Sequence, residues 1–222
     1  LSGLNRDAIE PMIELAREWD WELRGTWGPS AELTTNRPFS GALVTDLPGT
    51  PLAQQLREVG CPAVRFGARP HPGDDVIPAV LPDLAMSGRL AAEHFAARQF
   101  RNVAFVGHNP EDTAANMHAA YVAYRERATE LDMTCHVLSL QASNREGDSA
   151  SDRKARRTRD LIACLKALPK PVGVFCFNDI MAEQVGSVCG QSGLMIPEEV
   201  AVLGYGNWGP GSYPHLTLAT NR

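Results

Sequence analysis

Residues 171–205 read PVGVFCFNDIMAEQVGSVCGQSGLMIPEEVAVLGY, and this stretch decides the fold. Val172 to Phe177 is a short apolar run between a proline and the polar pair Asn178-Asp179, the pattern of a strand buried on both faces. Ile180 to Ser192 reads as a helix, and Val200 to Tyr205 as a second strand. A strand, a helix and a strand in that order form a crossover unit, which returns the chain to the same end of a sheet and makes the two strands parallel.

Working outward, the same alternation recurs. Asn102 to Val106 is an apolar strand, and Met117, Ala120, Tyr121, Tyr124, Ala128 and Leu131 define one face of the helix after it. Cys135 to Leu140 is strand-like, Gln141 to Asp152 reads as a polar surface loop, and the next helix is faced by Leu161, Cys164, Leu165 and Leu168 until Pro169 and Pro171 stop it. Toward the start, Ile9, Met12, Ile13, Ala16 and Trp19 lie on one helical face, with Asn5 or Asp7 as cap and Pro11 near the first turn. Trp21 to Trp27 alternates like a strand. Gly41 to Thr45 reads as a strand buried on both faces. A helix from Thr50-Pro51 to Gly60, strands at Pro62 to Phe66 and Val76 to Leu81, and a helix after Asp83 faced by Leu84, Gly88, Ala91, Ala92 and Phe95 complete the series, with a last strand at Leu216 to Thr220. End-to-end alternation of this kind predicts an α/β protein with parallel sheets. Ligands of such folds bind beyond the carboxyl ends of the strands.

The 222 residues are 44% hydrophobic and 21% charged, which excludes disorder and fibrous classes and admits one large or two modest domains. With 21 basic and 26 acidic residues the net charge is -5, so no general attraction to nucleic acid or anionic lipid is expected. Five scattered cysteines without a C-x-x-C pair suit free thiols in a reducing compartment, and no apolar run is long enough for a membrane helix. A cytoplasmic protein is expected.

Candidate site residues lie in the loops after the strands. Asn178 and Asp179 stand directly before a helix, where their side chains either cap it or hydrogen-bond a hydroxylated ligand. Asn207 and Trp208 follow the Val200 strand; the indole either stacks on the apolar face of a sugar ring or anchors its loop. His108, Asn109 and Asp83 are further cleft candidates. The chain contains no G-x-S-x-G elbow, phosphate loop, dinucleotide fingerprint or H-E-x-x-H helix, so neither an enzyme, a cofactor nor a metal is implied. The basic run Arg153, Lys154, Arg156, Arg157, Arg159 is read as a solvated helix face, with a nucleic-acid patch as the alternative.

Leu168 to Asp179, Gly193 to Tyr205 and Pro214 to Thr217, in that order, resemble the C-terminal half of the effector-binding region of lac-repressor-type regulators. Asp83 to Gly107 is similar to that family's middle segment, and Leu4-Asn5-Arg6 with LPKPVGVF at 168–175 looks most like the xylose-operon regulators, in which this domain is joined to an AraC-type helix-turn-helix module. The resemblance implies a periplasmic-binding-protein-like type I fold with two doubly wound lobes. An N-terminal lobe over residues 1–100, a C-terminal lobe over 101–212 and a return crossover over 213–222 are expected, with a hinge near Gln99 to Arg101. It further implies a monosaccharide effector, a homodimer and DNA contact only through a helix-turn-helix module outside these residues. Asn5 and Arg6 join the ligand-binding candidates. Two departures stand out: Met117 occupies the position of an arginine that grips sugar hydroxyls, and Gly206 that of an aspartate. An exported solute-binding protein sharing the fold is the alternative function.

Overall fold

The computed structural model describes residues 6–23, 40–45, 56, 58–66, 77–108, 110, 117–140 and 149–206. They fall into two compact units, Leu1–Pro82 and Asp83–Arg222. Each is an α/β arrangement with a parallel sheet.

The first unit holds α1 (Arg6–Glu18) and a three-stranded sheet of β1 (Ala42–Thr45), β2 (Ala63–Phe66) and β3 (Ala79–Val80), in that order. Several expectations need correction here. Leu43 is 57% exposed and its partner in register, Val64, is also open, so β1 is covered on one face and not on both. Pro11 lies in the second turn of α1, because the helix begins at Arg6. Trp21 to Leu23 are irregular, with the Trp21 ring edge-on to Trp19 at 4.8 Å. Of the helix expected up to Gly60, Leu56 and Glu58 are helical; its start lies outside the described residues.

The second unit is a three-layer sandwich. Its sheet runs β5 (Thr134–Ser139), β4 (Asn102–Gly107), β6 (Val172–Cys176), β7 (Val200–Leu203), all parallel. On one face, α2 (Leu84–Ala96) and α3 (His118–Glu130) supply Ala91, Ala92, Phe95, Ala120, Tyr121 and Tyr124 to a core closed by Val103, Phe105, Phe175 and Leu203. On the other, α4 (Ala150–Ala167) and α5 (Asp179–Ser192) supply Leu161, Leu165, Met181, Val185 and Val188 against Ala104, Val106, Val174 and Val202. Strand alternation sends successive residues to the two faces, and both sides of β6 are buried as its apolar run predicts. Residues 83–100, placed in the N-terminal lobe from the sequence, pack in this unit, and Gln99 to Arg101 form the turn from α2 into β4. The strand expected at 216–220 lies outside the described residues.

Helix α4 also begins earlier than its charged sequence suggested. Ser149 Oγ accepts from the Asp152 N–H at 3.1 Å while the Ser149 N–H donates to the Asp152 carboxylate, a reciprocal capping box that turns 149–152 from loop into helix start. Cys164, expected on the buried face, is exposed. The side chains of the basic run are exposed or half-buried along this helix.

Two glycines set the layer spacing. A Cβ at Gly88 would overlap the Ala120 carbonyl oxygen and stand 2.9 Å from the Tyr124 nitrogen, so α2 touches the backbone of α3. A Cβ at Gly173 would overlap the Phe95 ring. Around them Phe105, Tyr124 and Phe175 pack with ring centroids 5.3 to 6.1 Å apart, each such pair worth about 0.5–1.5 kcal/mol beyond burial. The Gly88→Ala variant should lose about 1–3 kcal/mol, because rigid backbone must move. Gly190→Ala, with nothing within 4 Å of its added methyl in α5, should hold or gain up to about 1 kcal/mol. Urea unfolding of the two variants checks the contrast.

Candidate functional site

From β4 the chain passes through α3 to β5 on one side, then through α4 to β6 on the other. The loops leaving the carboxyl ends of β4 and β6 therefore diverge, and this switch point is where an open parallel sheet forms its ligand crevice. The helices return antiparallel to the strands, so the N-termini of α2, α3, α4 and α5 lie at the same edge.

The candidate residues distribute around it as follows. Asp83 is the N-cap of α2, its Oδ1 accepting from the Met86 N–H at 2.8 Å. Asn178 is the N-cap of α5, its Oδ1 accepting from the Met181 N–H at 2.9 Å. Both side chains thus satisfy helix donors that would otherwise be orphaned. They stand on opposite faces of the sheet, Asp83 on the α2–α3 side and Asn178 on the α4–α5 side. Asp179, the first residue of α5, lays its carboxylate over the end of β7, where a Cβ on Gly204 would overlap Oδ1. His108 follows β4 and is exposed; its carbonyl accepts from Ser139 Oγ at 3.2 Å. Partial burial of the imidazole, and then the Arg157 guanidinium, hold its pKa below the ordinary histidine value, against a hydrogen bond to the Leu140 backbone that raises it. Arg6 is the first residue of α1 in the other unit. Asn5, Asn109, Asn207 and Trp208 lie outside the described residues.

Side chains that the sequence did not offer as ligand-binding candidates complete this edge. Phe175 of β6 and Leu203 of β7 are in register with Phe105 of β4. Two residues further on, the same parity puts Gly107, Phe177 and Tyr205 in the next row, at the rim. Phe177 and Tyr205 stack with centroids 6.4 Å apart and planes at 30°. Over Gly107 lies Met117, whose Sδ is 2.6 Å from where a Cβ would stand. Met117 and Phe177 pack against both cores, and all three side chains are half-buried. The signal for the two rings was present in the alternation of Phe175-Phe177 and Leu203-Tyr205, continued past the strand ends. Among the described residues no group of His, Cys, Asp or Glu is placed to hold a metal ion, and no helix is long and apolar enough to cross a membrane.

A family model for the periplasmic binding protein-like domain matches residues 92–220, more than half of the sequence. The chain belongs to this family. Among its relatives, the HTH-type transcriptional repressor PurR of Aliivibrio fischeri is 43% identical over 65 residues, 28% of this chain and 19% of the relative. PurR of Erwinia tasmaniensis is 27% identical over 136 residues, 60% of this chain and 36% of the relative. The solved xylose-binding transcription activator xylR superposes with a TM-score of 0.65 at 18% identity, over 96% of this chain and 53% of that one. A LacI family regulator from Bifidobacterium animalis subsp. lactis gives 0.52 at 22% identity over 75% of this chain and 57% of that one. The family member described here thus spans about a fifth to a third of the length of the curated relatives and about half of the solved ones. The type I periplasmic-binding-protein-like fold expected from the sequence is the fold observed.

Replacing Asn178 by alanine removes the cap of α5 and should cost about 1 kcal/mol of stability, with Asn178→Asp retaining most of it. Thermal unfolding of the two variants separates the capping contribution from any effect on a bound ligand.

Proposed function

We propose that the chain is the effector-sensing domain of a bacterial transcription regulator. The observation that carries this reading is that the sequence relatives are by name HTH-type transcriptional repressors, and that the longer similarity extends over 60% of this chain. The solved structures are too distant in sequence to add more than fold, but xylR and the LacI family regulator are consistent with it. A solute-binding protein of an ABC transporter from Burkholderia multivorans shares the fold, with a TM-score of 0.52. The sequence relatives favour the regulator over that exported alternative.

On this reading a small molecule enters at the carboxyl edge of the strands and binds one arrangement of the regulator more tightly than another. That difference in affinity moves the population between them and, through it, the placement of DNA-binding modules. The finer expectations travel with the proposal: a monosaccharide effector, a homodimer, DNA contact through a helix-turn-helix module and action in the cytoplasm. The sugar expectation comes from the sequence resemblance, and the transcriptional regulator CelR, 27% identical over the part aligned, was solved as a complex with cellobiose. Asp83, Asn178, Asp179 and His108, at the carboxyl edge of the second unit, are with Asn207, Trp208, Asn109, Asn5 and Arg6 the residues proposed to meet such a ligand.

A thermal-shift screen of the chain against pentoses, hexoses, sugar acids, polyols and ring-bearing metabolites tests the reading, since a ligand of the folded state raises its melting temperature. A selective, saturable rise without chemical change in the ligand is expected. Turnover of the ligand, or no rise across the whole panel, contradicts it.

A further inference from the structure

Helix α4 (Ala150–Ala167) carries six basic and two acidic side chains, a surplus of four positive charges in a chain whose net charge is -5. Five of the six lie in one stretch, Arg153, Lys154, Arg156, Arg157 and Arg159. A face that is merely solvated alternates the two signs; this one does not. Arg153 and Arg157 are four residues apart, and Lys154 with Arg157 and Arg156 with Arg159 are three apart, so like charges stand side by side and weaken the helix. Arg153 and Lys154 also lie close to the first turn, the end at which the helix dipole disfavours cations. Asp152 accepts from the Ser149 N–H at 3.1 Å and from Ser149 Oγ at 2.5 Å, and of the basic residues Arg156 and Arg153 are the ones that lower its pKa, after those two hydrogen bonds. Asp160 is the only other acid of the helix. Leu161 and Leu165 are buried against the sheet, so the helical turn puts Arg156 and Arg159 on the far side and Arg153 and Arg157 on its flank. Lys154, Arg157 and Arg159 are exposed.

We propose that this face of α4 lies against the phosphate backbone of duplex DNA. The inference goes beyond the effector-sensing reading and rests on it, since a transcription regulator works at a DNA duplex. Charge complementarity carries it: a basic stretch that disfavours its own helix is offset by an anion outside the helix. The shape of the surface selects the kind of anion. The outward side of a helix has no walls to enclose a small ion, whereas the phosphates of one strand present a row of charges to successive turns. Four of the five residues are arginines, whose planar guanidinium matches phosphate oxygens in pairs. No aromatic residue interrupts the stretch, so the bases of a single strand would find nothing to stack on, which favours the duplex. Phosphate contacts position a protein without reading sequence. Helix α4 would thus add affinity and orientation and leave the choice of operator to the helix-turn-helix module.

Fluorescence anisotropy of a labelled DNA duplex of arbitrary sequence, titrated with the chain from about 20 to about 200 mM salt, tests this. Binding is expected at the low-salt end, with log affinity falling against log salt at a slope of about -3 to -4, the release of counterions from about four phosphates. The double variant Arg157→Gln/Arg159→Gln should bind about tenfold or more weakly there, with a slope shallower by about 2. Arg89→Gln, an exposed arginine of α2, should leave both unchanged. The urea midpoint of the double variant should hold or rise, because like charges have been removed from the helix. Absence of binding at the lowest salt, or an unchanged slope in the double variant, overturns the inference. A lower urea midpoint overturns it too, since the arginines would then serve the fold. Displacement of the duplex by poly-L-glutamate at equal charge concentration overturns DNA as the occupant in favour of an acidic protein. Each of these results leaves the effector-sensing reading standing, because that reading is tested by the ligand-induced rise in melting temperature.

Discussion

Phe95 of α2 lies where a side chain on Gly173 of β6 would otherwise stand, and Gly88, two turns earlier on the same helix, lets α2 rest on the backbone of α3. These two close approaches fix the distance of the α2–α3 layer from the sheet. The Asp83 end of the carboxyl edge inherits its position from them, because the Asp83 cap begins the helix that carries both contacts. On the opposite face α4 and α5 pack by ordinary aliphatic burial on Val174, Val202 and Ala104, which tolerates adjustment more readily than a glycine interlock does.

The fold was legible where hydrophobic period and burial agree. The run Val172 to Phe177 reads as a doubly buried strand and is one up to Cys176; Ala91, Ala92 and Phe95 read as one helix face and pack as one. It was less legible where local chemistry competes with composition. The charged, polar residues before Arg153 suggested a loop, yet the Ser149–Asp152 box nucleates α4 there, since a satisfied helix start outweighs the weak propensity of the residues around it. Leu43 read as core because apolar runs in parallel sheets usually are; here it shares an open sheet face with its register partner Val64. Helix α2 follows a strand of the first unit in sequence but makes its close contacts with α3.

The candidate site was legible in its polar members and not in its apolar ones. Asn178 and Asp83 announced themselves as residues before helices, and the structure shows both engaged in capping. Phe177 and Tyr205 were hidden because a sequence reader assigns the last apolar residues of a strand to the core. Only the register, Phe105 beside Phe175 beside Leu203, reveals that the next row is the rim. Gly204 carries a similar message: it is glycine because the Asp179 carboxylate occupies the space of its side chain, which ties the start of α5 to the end of β7.

Hydrogen–deuterium exchange of the chain with and without saturating D-xylose tests most directly whether binding occurs at the switch point. The account predicts slowed exchange at the Asp83 to Met86 turn, at the start of α3 from Met117 to Tyr121, and across Phe177 to Met181 and Gly204 to Gly206, with the amino ends of β4, β5, β6 and β7 unchanged. Slowing confined to those amino ends, to the exposed face of α4 or to the edge of β5 would contradict it.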